Sequence, residues 1–174
     1  MTEVWVTGLG FVTSIGCSKE DVKSSLVNLK HGITSPSMFQ VPESPVKLAG
    51  TINEFDLSAP DAEDWSFPSR YTIPRSLLRS FSPHVLYAWC AVQQAIEEAN
   101  LSQSDLEDRD TGLYTASAGS MRSIRSHFEK MDNRGVMACN PLAIVSSISG
   151  TLTFNLVAGL GIRGSSMGLV SACA

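Results

Sequence analysis

The sequence has little charge, no excess of basic residues and no long apolar run. Charged residues make up 17% of the chain, and 13 basic against 17 acidic side chains give a formal net charge of −4. A chain without a basic surplus is not expected to bind nucleic acid or an anionic membrane surface. No stretch reaches the roughly 18 apolar residues of a membrane span. The first residues carry an acid where a signal peptide carries bases, which predicts a cytoplasmic location.

Closely spaced cysteines are also missing. The four cysteines are far apart and form no C-x-x-C motif: Cys17, Cys90, Cys139 and Cys173. This spacing favours reduced thiols over a disulfide framework and offers no ligand set for zinc. Because isolated cysteines usually behave as small core residues, a reactive one must be recognised from its surroundings.

The composition that is present is typical of a globular protein. Hydrophobic residues make up 43% of 174 residues, enough for one domain over residues 1–174 with a substantial core. The stretch from about 34 to 75 is rich in serine and proline, yet no change in composition marks a linker. We expect this stretch to be an excursion on the surface of the domain.

Short β-prone runs alternate with amphipathic stretches along the chain. The predicted strands are Val4–Thr7, Gly112–Ser117 and Ser166–Ser171. The predicted helices begin at Ser18, at Ser82 and near Ser120, and a last, mostly apolar helix covers Leu142–Ala158. With right-handed crossovers, this order predicts an α/β fold in which helices pack on a mostly parallel sheet.

The first predicted strand ends at Gly8-Leu9-Gly10, which invites a dinucleotide-binding interpretation. The third glycine of that fingerprint would fall at position 13, which is Thr13, and no helix follows directly. The sequence therefore disfavours a Rossmann cofactor site.

Cys173 follows the third predicted strand, in Val170-Ser171-Ala172-Cys173-Ala174. Ligands of parallel sheets bind beyond the carboxyl ends of the strands. At a turn from strand to helix, unpaired N–H groups and the helix dipole stabilise a thiolate, and a backbone N–H can donate to an oxyanion. The residues alone leave two interpretations open, a nucleophile or a buried core thiol. Because the sequence stops one residue later, we expect the chain to be part of a longer protein.

Motifs along nearly the whole chain, in matching order and spacing, resemble those of β-ketoacyl-acyl-carrier-protein synthases, the condensing enzymes of fatty-acid and polyketide synthesis. The similar segments are Val4-Trp5-Val6-Thr7-Gly8-Leu9-Gly10, Leu29-Lys30-His31-Gly32-Ile33, Ala95-Ile96-Glu97-Glu98-Ala99, Gly159-Leu160-Gly161-Ile162-Arg163-Gly164 and Val170-Ser171-Ala172-Cys173-Ala174. The resemblance implies the N-terminal half of a thiolase-like fold, truncated after the strand that leads to the nucleophile.

This resemblance implies a chemistry as well as a fold. Cys173 would accept an acyl group from a carrier-protein or coenzyme A thioester, and the carbanion from malonyl-acyl-carrier protein would then attack the acyl-enzyme. The acyl carrier protein would deliver both thioesters. No metal or organic cofactor is implied. In the family, the strand matching Met167–Ser171 pairs with its twin in a homodimer.

The resemblance also places an acyl channel along the segments 116–120 and 142–147. The candidate substrate-binding residues in these segments are Ala118, Ala143 and Ile144. Small side chains at Ala118 and Ala143 would leave room for a long or bulky acyl chain.

The family's decarboxylating histidines lie downstream of the nucleophile, whereas His31, His84 and His127 all precede Cys173 and match no family position. We therefore expect the chain alone to be inactive in condensation. Because a parallel sheet needs cover on both faces and the family's next helix is absent from this sequence, we also expect the chain alone to be marginally stable or self-associating. Three alternatives stay open: an initiating synthase or thiolase relative, a non-catalytic partner subunit similar to a chain-length factor, and a structural fragment that only pairs with a mate.

Overall fold

Seven helices and four short strands make up the described part of the chain, residues 3–171 of a computed structural model. The helices are α1 (Lys19–Val27), α2 (Arg75–Leu78), α3 (Pro83–Ala99), α4 (Gln103–Leu106), α5 (Met121–Arg134), α6 (Ala143–Ser147) and α7 (Gly150–Leu160). The strands are β1 (Ile33–Thr34), β2 (Ala49–Gly50), β3 (Leu113–Ala116) and β4 (Ser166–Leu169). Single 3₁₀ turns at Ser37–Phe39, Ala62–Asp64 and Val136–Ala138 complete the connections.

A parallel strand pair confirms the predicted crossover. Leu113 of β3 pairs with Ser166 of β4, and the register continues to Ala116 with Leu169. α7 packs against both strands as well as against α3, as expected when a helix covers one face of a parallel pair.

α3 is the central helix of the core and confirms its sequence signals. It begins after Ser82 with Pro83 in its first turn and ends at Asn100, which adopts the left-handed conformation with φ of 54°. The Ser82 hydroxyl does not cap the helix, because it bonds to Nδ1 of His84 at 2.8 Å. Val85 and Leu86 are completely buried.

α1 begins directly after Ser18, as the sequence predicts. The hydroxyl of Ser18 accepts a hydrogen bond from the backbone N–H of Asp21, as an N-cap does. Val22 is the buried residue of the helix, whereas Leu26 and Leu29 are exposed. The helix ends at Val27 because Leu29 turns to a positive φ of 53°.

The single helix predicted over Leu142–Ala158 is wrong, since the structure has two helices separated at Ile148. The backbone of Ile148 is extended, with φ of −80° and ψ of 149°. The hydroxyl of Thr151 takes the carbonyl of Val145 as its acceptor, and Ser149 and Gly150 are weak helix formers. Side-chain competition for backbone groups therefore outweighs the continuous apolar pattern.

The buried strand predicted at Val4–Thr7 is also wrong. Within the described residues this segment pairs with no strand, and the side chains of Val4 and Trp5 are 92% and 78% exposed. The backbone N–H groups of the residues that follow donate hydrogen bonds to side chains of α3 instead. The N–H of Leu9 donates to Glu98 at 2.6 Å, and that of Phe11 donates to Gln94 at 3.1 Å. Side chains of a helix thus take the place of a neighbouring strand.

Part of the 34–75 segment enters the core, although we expected it to be a surface excursion. β1 and β2 pair antiparallel, with Ile33 opposite Gly50, at its outer end. Four later side chains are buried and join the core cluster formed by α3 and α7: Phe55, Leu57, Ala62 and Tyr71. The ring of Phe55 packs edge-on against Tyr87 at 5.3 Å between centroids. This segment therefore forms one wall of the interior.

Candidate active site and an adjoining cavity

The carboxyl ends of β3 and β4 meet at one edge, as the parallel order predicts. The N–H of Ser117 donates to the carbonyl of Leu169 at 3.2 Å and extends the strand pair by one residue. Cys173, the predicted nucleophile, lies outside the described residues, so its predicted role is untested by this geometry.

The loop after β3 is anchored to the end of α6. The N–H of Ser120 donates to the carbonyl of Ser147 at 2.7 Å, and the N–H of Gly119 donates to the Ser117 hydroxyl at 3.0 Å. Gly119 has φ of +84°, and a Cβ there would overlap the Ser147 carbonyl oxygen. Only glycine fits both conditions, which explains the small residues at the end of this strand.

Two hydroxyl groups hold the strand pair on α7. Oγ1 of Thr115 lies 2.7 Å from Oγ1 of Thr153. A Cβ at Gly168 would come within 2.6 Å of the same Thr153 oxygen. The short side chains allow close approach of strand and helix, so the edge beyond β3 and β4 rests on a firm support.

Two of the three described cysteines are poor nucleophiles. Cys17 and Cys90 are buried, and burial raises the pKa of both thiols, that of Cys90 to about 12. Cys139 is partly buried, with its sulfur near the carbonyls of His127 and Gly135. A thiolate is the reactive form of cysteine, so neither Cys17 nor Cys90 competes with Cys173 for this role.

The three predicted substrate-binding residues do not line a common cavity. Ala118 is exposed in the loop after β3, and the side chain of Ile144 is also exposed. Ala143 is partly buried and lines a cavity that neither of the other two residues reaches. Their assignment to an acyl channel stays a prediction.

This cavity has a volume of about 650 Å³ and lies between the 55–65 segment, the start of α3, α5 and α6. Its inner wall is apolar and aromatic, with Phe55, Leu57, Trp65 and Tyr87. Burial raises the pKa of Tyr87, so its hydroxyl stays protonated as a hydrogen-bond donor at neutral pH. The rest of the lining mixes small, polar and charged residues. The charged ones are Asp61, Arg79, Arg122, Arg125, Glu129 and Lys130.

Three of the four cations in the cavity lining have a carboxylate partner. Nζ of Lys130 lies 3.0 Å from both oxygens of Asp61. Arg79 pairs with Glu63 at 2.8 Å, and Arg125 pairs with Glu129 at 2.7 Å. Arg122 is different: within residues 3–171 it forms no ion pair and donates to the backbone carbonyl of Leu57.

The sequence did not reveal this cavity. Arg122, Ser126, Glu129 and Lys130 lie at i, i+4, i+7 and i+8 on α5, a polar pattern that normally indicates a solvent-facing surface. The wall opposite them comes from the 55–65 segment, which has no periodic pattern at all. The polar face of α5 is visible in the sequence, but nothing in the sequence indicates that this face lies opposite the 55–65 segment.

Within residues 3–171, no helix is both long and apolar enough to cross a membrane. The same residues contain no cluster of three or more histidine, cysteine, aspartate or glutamate side chains arranged to hold a metal ion.

The chain is similar to known condensing enzymes in sequence. It is 30% identical over 176 residues to 3-oxoacyl-[acyl-carrier-protein] synthase 1 of Haemophilus influenzae, a match that covers 100% of this chain and 40% of that protein. The chain thus spans about two fifths of the length of this relative.

The fold is similar to those of solved ketosynthases. The ishigamide ketosynthase/chain length factor has a TM-score of 0.75 at 21% identity and covers 97% of this chain and 40% of its own. A type II polyketide synthase ketosynthase, solved with its acyl-carrier protein and bound to the hexaketide, has a TM-score of 0.66 at 18% identity, covering 93% of this chain and 40% of its own. The predicted thiolase-like α/β fold is confirmed.

The profile of the β-ketoacyl synthase N-terminal domain matches residues 1–174, the full extent of the chain. The order of the motifs, the parallel strand pair and this match agree, and the chain belongs to the β-ketoacyl synthase family.

Proposed function

We propose that the chain carries the acyl-accepting part of a 3-oxoacyl-[acyl-carrier-protein] synthase that works in the cytoplasm in fatty-acid or polyketide synthesis. The observation that carries this proposal is the family match over residues 1–174, which includes Cys173. The parallel pair supports it, because the chain leaves β4 at the edge where ligands of such sheets bind and reaches Cys173 four residues later.

The proposed first step is an acyl transfer. The thiolate of Cys173 attacks the carbonyl of an acyl thioester, a C–S bond to Cys173 forms, and the carrier thiol leaves and takes up a proton. Decarboxylation of a malonyl thioester then supplies a carbanion, which displaces Cys173 and gives the 3-oxoacyl product. The described histidines are not proposed for the second step. His84 is bonded to Ser82, and its Nε2 is buried without a partner in the described residues.

The proposed thioester donor is an acyl carrier protein. A ketosynthase of similar fold has been solved in complex with its acyl-carrier protein, and the relative from Haemophilus influenzae is named for the same carrier. The acyl chain is proposed to lie along Ala118, Ala143 and Ile144. The position of Ala143, which lines the cavity described above, supports this placement.

Acylation of Cys173 is the direct test. When the protein in its native length is incubated with an acyl thioester, mass spectrometry should find the acyl mass on the peptide that contains Cys173. Cys173→Ala should abolish this adduct, because the thiolate that forms the bond is removed. Cys139→Ala removes the partly buried thiol of Cys139 and should leave the adduct unchanged.

No adduct on the wild-type protein would reject the proposal and favour the non-catalytic partner similar to a chain-length factor. An adduct that survives in Cys173→Ala would place the nucleophile elsewhere. Formation of the adduct with an acetyl group from coenzyme A alone would favour an initiating synthase or a thiolase relative.

We also propose that β4 and the residues up to Ser171 form a homodimer contact. β4 is at the edge of its described pair, and an edge strand can pair with another chain. The side chains of Met167, Leu169 and Val170 are all more than half exposed. Self-pairing here would extend the sheet and cover these apolar groups.

Leu169→Asp should weaken self-association at least tenfold, because two like charges would face each other across a symmetric contact. Sedimentation velocity over a range of protein concentrations measures the effect. Leu26→Asp is the matched control, since Leu26 is an exposed leucine on α1, away from β4. Equal association of both variants would contradict a contact through β4.

A further inference from the structure

The cavity between the 55–65 segment and α5 has positive charge that the chain does not neutralise. The chain as a whole is acidic, with a formal net charge of −4. Four cations line this cavity against two carboxylates, and the carboxylate of Glu63, just outside the lining, neutralises Arg79. Among the described residues of the lining, the positive charge that has no carboxylate partner is that of Arg122.

Arg122 is placed to receive an anion. One of its N–H groups donates to the carbonyl of Leu57, which fixes the guanidinium against the 55–65 segment. A guanidinium has five N–H donors in a planar fork, so other donors are left for a ligand. Asp56 is a carboxylate that senses the Arg122 charge: hydrogen bonds from Ser58, with a smaller contribution from that charge, lower its pKa. It is not within ion-pair distance of Arg122, since no such pair occurs in residues 3–171.

Lys130 supplies a second cation in the same cavity lining. Its side chain is 18% exposed and is held by both oxygens of Asp61. An ammonium has three N–H donors, so this ion pair does not saturate it. The phenol of Tyr87, protonated at neutral pH, adds a neutral donor to the lining.

We propose that this cavity binds a phosphate ester, with Arg122 as its main anchor and Lys130 as its second cation. Phosphate oxygens suit the planar fork of arginine and a neighbouring point charge. A volume of about 650 Å³ is far larger than one phosphate group and falls in the usual range for small-molecule sites. The ligand is therefore a phosphate that carries an organic group, which the apolar wall of Phe55, Leu57 and Trp65 contacts.

The site goes beyond the proposed acyl transfer and does not depend on it. Acyl-coenzyme A and the acylated pantetheine phosphate arm of a carrier protein both bring a phosphate ester together with a thioester. Either one could occupy the cavity if the proposed function holds. Binding can be measured on Cys173→Ala, so failure of the acyl transfer and failure of this site are distinguishable.

Isothermal titration calorimetry with inorganic phosphate, pantetheine 4′-phosphate and coenzyme A, at constant ionic strength, tests the proposal. Arg122→Ala should weaken binding of the tightest ligand by about tenfold or more, because a charge-assisted hydrogen bond is lost. Asp61→Asn should strengthen it, because Lys130 is released and one negative charge is removed from the cavity. Arg134→Ala, on the same helix but outside the cavity lining, should change nothing.

Weaker binding in Arg122→Ala together with tighter binding in Asp61→Asn would separate ligand binding from a purely structural role of Arg122. Both substitutions remove a contact between α5 and the 55–65 segment, so loosening of that segment alone would weaken binding in both variants. Tighter binding of pantetheine 4′-phosphate than of inorganic phosphate would show that the cavity also contacts the pantetheine arm. Still tighter binding of coenzyme A would show that it contacts the nucleotide as well. No saturable binding by any of the three ligands would overturn the proposal. Equal affinities in wild type, Arg122→Ala and Arg134→Ala would overturn it as well.

Discussion

Gly10→Ala is expected to destabilise the chain by about 3 kcal/mol, as overpacking against a rigid neighbour does. A Cβ at this position would overlap the backbone carbonyl oxygen of Ala91, inside α3. Neither α3 nor the segment that contains Gly10 can move without a loss of stability. Moving the helix disturbs the core around Val85 and Leu86, and moving the strand-like segment breaks the two hydrogen bonds between the backbone of Phe11 and the Gln94 side chain. Thermal unfolding should show a decrease of about 6–12 °C for a chain of this length.

Gly150→Ala is the matched control, because nothing lies within 4 Å of a Cβ at Gly150. Gly150 is the first residue of α7, where alanine has the higher helix propensity, so this variant should be as stable as wild type or more stable by up to about 1 kcal/mol. Equal destabilisation by both substitutions would mean that the contact between Gly10 and α3 does not exist in solution.

Gly8 and Gly10 illustrate which part of a motif the sequence can explain. The G-x-G pattern looked like a phosphate-binding loop, and the missing third glycine argued against that interpretation. In the structure, both glycines let the chain lie directly on the backbone of α3, at Ala95 and Ala91. The sequence alone did not indicate this contact, because the partner residues on α3 lie about 80 residues away along the chain.

Local signals predicted the helices well. The proline after Ser82, the cap at Ser18 and the period of α3 are physical preferences that act within a few residues, and the structure follows them. Predictions that depended on distant partners were less successful. Val4–Thr7 has the composition of a buried strand, yet a strand exists only where another one pairs with it. The break at Ile148 is local, but apolar periodicity does not show it, since it involves the hydroxyl of Thr151 and the weak helix formers Ser149 and Gly150.

The candidate site shows the same division. The predicted parallel order of the strands is confirmed for β3 and β4, whose carboxyl ends meet at one edge. The cavity lined by Arg122 could not be predicted. It arises from the 55–65 segment, whose burial is caused by side chains such as Phe55 that carry no sequence period.

A buried polar group connects α7 to the turn before α3. Asn155 is 1% exposed. Its Nδ2 donates to the carbonyl of Thr151 at 2.9 Å, with a longer contact to the Ser80 carbonyl at 3.5 Å, and its Oδ1 accepts from the Ser80 hydroxyl at 2.5 Å. The amide is thus oriented by a donor on one side and carbonyl oxygens on the other. Only a side chain with both functions satisfies this arrangement.

Asn155→Asp should destabilise the chain by about 3–5 kcal/mol at pH 7, because an uncompensated carboxylate is buried against carbonyl oxygens. Burial and these oxygens raise the pKa of the introduced carboxyl in the folded state, above the value of about 3.9 in the unfolded chain. The folded state then binds more protons than the unfolded state between these two pKa values. Stability relative to wild type therefore falls as the pH rises through this interval, and the loss is complete above the folded pKa.

Urea unfolding of Asn155→Asp and wild type at a series of pH values between 4 and 8 measures this difference. Asn133→Asp is a closely matched control, since Nδ2 of Asn133 also donates to the carbonyl four residues earlier, at 2.8 Å, but its side chain is exposed on α5. Water solvates a carboxylate there, so this variant should stay within about 0.5 kcal/mol of wild type at every pH. A large loss of stability in Asn155→Asp and none in Asn133→Asp, although both side chains make the same type of hydrogen bond, would show that burial makes Asn155 indispensable. Parallel pH profiles of the two variants would show that the interior around Asn155 is open to water.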